Sequence, residues 1–135
     1  MVKPCTLLDL GELTDIVNHF SDYDSMAKIR ADLIGVTTGI WFLLGDCCMY
    51  YEVVAPGIAQ AHICSVSRER RGRVLRDFAI ETGCWVIDNK GIKSIVNYVD
   101  KERRDLQFFM KMIGSKKICE ISDQILYVST KKECT

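Results

Sequence analysis

GIWFLLGDCCMYYEVVAPGIAQAHICSV, residues 39–66, holds three runs rich in β-branched and aromatic side chains, at 39–44, 48–54 and 58–66. Such side chains favour extended backbone because they pack well on a pleated surface. Gly45-Asp46 and Pro56-Gly57 fall between the runs and supply the residues that tight turns need. The stretch therefore predicts an antiparallel meander of three strands.

The period changes on either side of it. Upstream, residues 2–7 read as a short opening strand. Asp9 then caps a helix over 9–20, with Leu10, Leu13, Ile16, Val17 and Phe20 on one face. Residues 21–33 read as a second, shorter helix whose inward side is Met26, Ile29 and Leu33.

Downstream, a helix runs from Gly72 to about Thr82 with Val74, Leu75, Phe78 and Ala79 inward, and Gly83 is placed to close it as a left-handed cap. Residues 84–89 finish that helical layer. A strand over 92–99, a helix over 102–113 ended by Gly114, and a last strand region over 118–128 around Ser122-Asp123 complete the chain. The order is βααβββαβαβ, an α/β (α+β) arrangement in one domain over 1–130, with a frayed tail at 131–135.

Composition fits one folded domain. The chain has 135 residues, 48% of them hydrophobic and 27% charged, which suffices for a buried core. Eighteen basic and eighteen acidic residues cancel, so no global field recruits nucleic acid or an anionic membrane. The uncharged stretches are broken by Gly45, Pro56, Gly57 and Gln60, and read as strands and turns rather than a membrane span. Seven scattered cysteines form no CxxC pair and there are only two histidines, so no metal site is expected. Most of the cysteines sit in apolar runs (Cys64 in HICSV, Cys84 in GCWVI, Cys119 in KICEI), where a free thiol behaves as a small buried hydrophobe. They are expected to be reduced in a cytosolic protein.

The segment SVSRERRGRVLRDFA, residues 65–79, carries the chemistry. A pyrophosphate is held by successive backbone N–H groups at a helix N-terminus, where the dipole is favourable. Gly72 sits at such a turn, where only a residue without a side chain lets the phosphate approach. Arg70, Arg71 and Arg73 flank it and Arg68 and Arg76 stand nearby; a guanidinium holds phosphate oxygens bidentately. Two other uses of the run remain open: a docking patch for nucleic acid or an acidic partner, or a solvated helix start. With no aromatics interleaved, single-strand stacking has little support.

In this order of elements the chain resembles the GCN5-related N-acetyltransferase (GNAT) family. VKPCTLLDLGEL at 2–13 is similar to that family's first strand and capped helix, and 65–79 to its acetyl-CoA loop. VDKERRDLQFFMKMIGS at 99–115 is similar to its fifth-strand-to-helix segment, with Val99, Leu106, Phe109, Ile113 and Gly114 in the expected places. The resemblance implies a three-layer fold, with a mixed, mostly antiparallel central sheet and helices on both faces. It also implies acetyl-CoA as cofactor, held by Arg70, Arg71, Gly72, Arg73 and Val74.

The departures are specific. The family's loop reads Gln/Arg-x-x-Gly-x-Gly/Ala, and its places hold Glu69, Gly72 and Val74 here. An asparagine that meets the cofactor and a tyrosine that protonates the leaving thiolate are replaced by Arg103 and Met110. Methionine cannot donate a proton. His62 as base and Tyr98 as acid are the remaining candidates for catalysis; Glu52, a charged residue within a strand, could face the substrate cleft but is more simply an outward position. A histidine in an apolar strand is more often a hydrogen-bonded core residue.

Two functions follow from the resemblance. One is a degenerate GNAT-fold protein with weak or lost acetyl-CoA binding, acting through a protein partner. The small GNAT-like head-assembly and internal-virion proteins of short-tailed phages are similar, which would place it in the host cytoplasm or the virion. The alternative is an acetyl-CoA-dependent N-acetyltransferase. Phe108, Phe109, Met110 and Met112 cover more than one helical face, which suggests an apolar patch for a partner or for self-association.

Overall fold

Strands β1 (Gly39–Leu44), β2 (Cys47–Ala55) and β3 (Ile58–Ser65) form the expected antiparallel meander, with Gly45 and Gly57 at positive φ in its two turns. The computed structural model describes residues 2–19, 39–65 and 72–130. Helix α1 (Leu10–His19) precedes the meander. Helix α2 (Arg73–Asn89), β4 (Ser94–Asp100), α3 (Arg104–Met112), β5 (Lys116–Ile121) and β6 (Gln124–Thr130) follow it. The six strands make one sheet in the order β1-β2-β3-β4-β6-β5. Only β3 and β4 pair in parallel among the described strands, because α2 carries the chain back across the sheet between them.

Alternation along the strands sends side chains to two covered faces. Phe42, Met49, Tyr51, Ala59, Ile95, Val99, Ile125 and Tyr127 meet Leu75, Phe78, Ala79 and Val86 of α2 and Phe109 and Met110 of α3 in the main core. The buried positions of α2 (Leu75, Phe78, Ala79, Thr82, Gly83, Val86) recur at three and four residues, the period that keeps one helical stripe inward. On the opposite face α1 packs on β2 and β3 through Leu13 and Ile16, where Trp41 and Tyr50 are also buried. The arrangement has three layers, helices on both sides of a mixed sheet, as expected.

Several local expectations change. No strand forms over residues 2–7; Cys5 N–H donates to the Trp41 carbonyl at 2.7 Å, and Pro4 has no N–H with which to extend a ladder. A single turn of 3₁₀ helix, Leu7–Asp9, leads into α1, and the Asp9 carboxylate accepts the Thr6 N–H at 2.9 Å. Gly83 is no cap, since α2 runs through it to Asn89. A Cβ there would meet Ile95 Cδ1 at 3.3 Å, so close approach of helix to sheet is what calls for glycine. The last strand region is a hairpin, β5 and β6, turned at Ser122 with φ 55°. The helix expected over 21–33, Arg70, Arg71 and the 131–135 tail lie outside the described residues.

Candidate active site

The ladder between β3 and β4 joins only three pairs, Ile58–Ser94, Ala59–Ile95 and Gln60–Val96. Beyond them β3 still pairs with β2 as far as Ser65, and β4 with β6 as far as Asp100. Each strand is held by its outer neighbour while the inner edges part. The inner edges at 61–65 and 97–100 form no ladder with each other, and strand edges of this kind can take an extended polar ligand.

Helix α2 begins beyond the end of β3. Gly72 is its first capping residue, with φ 89° and ψ −135°, a conformation essentially closed to residues with a side chain. Among the described residues no side chain caps the helix, and a Cβ built on Gly72 would find none of their atoms within 4 Å. At such a helix N-terminus an anion is favoured by the dipole and the first-turn N–H groups. Arg73 is exposed, Val74 is half exposed, and Arg76 is tied to Asp77 by two hydrogen bonds of 3.1 and 3.0 Å.

His62 and Tyr98 lie on the α1 face of the sheet, each two residues beyond the last bridged pair, Gln60 and Val96. The alternation of strands thus sets them on the two sides of the opening. Tyr98 is exposed, whereas His62 is mostly buried with Nε2 3.6 Å from Glu52 Oε2. The imidazole stacks on Tyr50 at 5.7 Å, and Tyr50 packs on Trp41 at 4.3 Å. Gly39 makes room for this row, since a Cβ there would run into the Tyr50 ring. Glu52, read from sequence more simply as an outward position, turns toward the histidine instead.

The two departures on α3 have structural consequences. Arg103 donates to both carboxylate oxygens of Asp105, at 3.1 and 3.0 Å, and this holds the Asp105 carboxyl at about 2. Met110 is buried in the core between helix and sheet. Of the four apolar residues that suggested a surface patch, Phe109 and Met110 point inward and Phe108 is 65% exposed.

Sequence reasoning missed the part of the site made by small residues. Ala61, Ala79 and Gly83 line an apolar cavity of about 50 Å³ between the sheet, α2 and α3, shared with Met49, Ile63 and Ile95 among others. No motif marks these positions, because the cavity depends on where β3 and β4 part. The cysteines also depart from expectation. Cys84, at the cavity wall, is disulfide-bonded to a sulfur outside the described side chains, so the thiols are not all reduced. Its place on α2 facing the sheet, rather than any spacing motif, brings it within reach of another sulfur. Cys5, Cys47, Cys48 and Cys119 are free, and Cys119 is exposed on the edge strand β5 rather than buried. No metal-holding group of side chains occurs among the described residues, and none of their helices is long and apolar enough to cross a membrane.

No protein-family model matches the chain, and no curated protein matches its sequence. Solved structures do match in shape. A spermidine N-acetyltransferase SpeG chimera from Vibrio cholerae and hSSAT superposes with a TM-score of 0.76 at 10% identity, covering 99% of this chain and 98% of its own. Ribosomal-protein-S5-alanine acetyltransferase from Vibrio fischeri gives 0.71 at 14% identity, covering 99% and 94%. The N-acetyltransferase PseH of Campylobacter jejuni, solved with acetyl coenzyme A, gives 0.65 at 8% identity, covering 97% and 98%. At these identities the likeness concerns the fold, and it extends over nearly the full length of each chain. The protein has the GNAT fold.

Proposed function

We propose that the protein transfers an acyl group from a coenzyme A thioester, such as acetyl-CoA, to an amine. One observation carries this reading. The β3–β4 ladder stops at Gln60–Val96, and beyond the end of β3 the chain enters α2 at an uncapped N-terminus opened by Gly72. An extended thioester arm fits the parted edges, and its pyrophosphate suits the helix N-terminus, with Arg70, Arg71 and Arg73 as the cationic partners. PseH, which shares the fold, was solved with acetyl coenzyme A bound.

In this reading the amine nitrogen bonds to the thioester carbonyl carbon, the C–S bond breaks, and CoA leaves as the thiol. His62 accepts the amine proton, and Glu52, 3.6 Å from it, favours the imidazolium so formed. Tyr98 across the opening protonates the departing sulfur. This division of labour replaces the missing tyrosine of α3. The test is release of CoA from acetyl-CoA in the presence of a panel of primary amines, followed by mass spectrometry of the acylated product. Turnover that survives His62→Ala undiminished would remove His62 from this scheme.

A second reading, a degenerate member that docks onto an acidic phage-assembly partner through Arg70, Arg71 and Arg73, draws on one observation. Arg103 and Met110 are committed to an ion pair and to the core, so neither supplies the chemistry of the residue it replaces. It requires that a triple Ala change at those arginines weaken association with the partner while leaving CoA affinity as it was.

A further inference from the structure

We infer that the acyl group this site accepts is longer than acetyl, a short aliphatic chain of butyryl size seated in the cavity behind the parted strands. The inference rests on the CoA-thioester reading above. The cavity is lined by Ala61 and Ile63, the first inward residues of β3 past the last bridged pair, and by Asn97 of β4. It therefore adjoins the place where the ladder gives way. Its far wall is Ala79 and Gly83 of α2, residues too small to fill the gap.

Volume and polarity select the occupant. At about 10–15 Å³ for each water-sized group, a cavity of about 50 Å³ takes about three to five such groups. An acetyl methyl leaves most of it empty, whereas the three carbons of a butyryl chain occupy it. Tyr51, at the cavity floor, has its hydroxyl 2.7 Å from Thr82 Oγ1. A largely apolar cavity gains from an apolar guest. The Cys84 sulfur is held in its disulfide, so no thiol at that wall competes for the acyl group.

The experiment is a calorimetric titration of the full chain with desulfo-CoA, acetyl-CoA, butyryl-CoA and octanoyl-CoA. Each buried methylene contributes roughly fourfold in affinity, so butyryl-CoA, with two more methylenes, should bind about fifteenfold more tightly than acetyl-CoA, with octanoyl-CoA falling back because its chain exceeds the cavity. Ala61→Leu and, independently, Ala79→Leu fill the space; either should reduce the ratio of butyryl-CoA to acetyl-CoA affinity below about twofold. Equal affinity for acetyl and butyryl thioesters would overturn the inference while leaving the CoA reading standing. A rise that continues to octanoyl, or persists in both filled variants, would also overturn it. Failure of all four ligands to bind overturns the CoA reading and this inference together.

Discussion

His62 and Tyr98 stand on opposite sides of the gap between β3 and β4, each two residues past the pair at which the ladder ends. The relationship follows from register alone. Gln60 faces Val96, and a step of two along each strand returns to the same face of the sheet. The parting of the inner edges then turns two neighbouring strand positions into the two lips of a cleft.

If these lips hold the base and the acid, His62→Ala should lower kcat by roughly a hundredfold and Tyr98→Phe by roughly tenfold. Neither change should alter the affinity for desulfo-CoA by more than about twofold, since both side chains lie on the α1 face rather than at the phosphate end. Steady-state kinetics with calorimetry on the same samples separates the two effects. A loss of CoA affinity matching the loss of kcat would contradict the assignment.

Tyr51 ties the sheet to α2. Its hydroxyl is buried, 2.7 Å from Thr82 Oγ1 and 3.4 Å from the Ala79 carbonyl, and burial pushes its ionisation well above the usual tyrosine range. Tyr51→Phe removes that link but keeps the ring's packing, including its edge contact with Phe42 at 5.9 Å. The expected loss is about 1–2 kcal/mol by denaturant titration. Because Thr82 still donates to the Ala79 carbonyl at 3.2 Å, a loss several times larger would mean that more than this bond was broken.

Such pairings explain how far the sequence could be read. The β1–β2–β3 meander follows from local residues, since Gly45-Asp46 and Pro56-Gly57 fix the turns and aromatic runs fix the strands. The single backbone bond from Cys5 to Trp41 is not enough to make a strand of residues 2–7, and nothing local to that segment reveals this. Gly83 satisfies the rule for a helix stop, yet tertiary packing against Ile95 overrides it. The proposed phosphate end of the site is visible in sequence because Gly72 and its arginines are adjacent. His62, Glu52 and Tyr98 were visible only as isolated candidates, because the strand pairings that bring them together join distant segments.

Acid should act on the start of α3. The Arg103 hydrogen bonds hold Asp105 at about 2, below its ordinary 3.8. A carboxyl depressed in the folded state contributes stability above its unfolded pKa and loses it as the pH falls. The contribution should therefore fade between about pH 4 and pH 2. Both side chains are about half exposed, so Arg103→Ala should cost under about 1 kcal/mol at neutral pH. Thermal melts across that window should show wild type and Arg103→Ala converging toward pH 2; a constant difference would contradict the pairing.

The free thiols should differ in reactivity. Burial, helped by the charges of Asp9 and Glu12, pushes the Cys5 thiol up to about 12. The thiolate is the reactive form, so Cys5 should alkylate slowly at pH 8–9 although it is only partly buried. Cys119, exposed on β5, should label first among the described cysteines, and Cys47 and Cys48 only after unfolding. Mass mapping after a short iodoacetamide pulse gives the order. Cys5 labelling as fast as Cys119 would contradict the environment described for it.

The account depends most on Gly72 and the uncapped turn it begins. Calorimetric titration with desulfo-CoA, which carries the phosphates but no reactive thioester, isolates that part of the site. Binding is expected at tens of micromolar, about −6 kcal/mol, because Glu69, three residues before Gly72 in the sequence, adds a negative charge that works against the arginines. Gly72→Val should abolish it, since a β-branched residue cannot hold φ 89°. Saturable binding by the wild type and none by a folded Gly72→Val variant is the predicted result. A wild type that takes up no desulfo-CoA at millimolar concentration, or a Gly72→Val variant that binds it equally well, would contradict the claim that this fold holds a CoA thioester here.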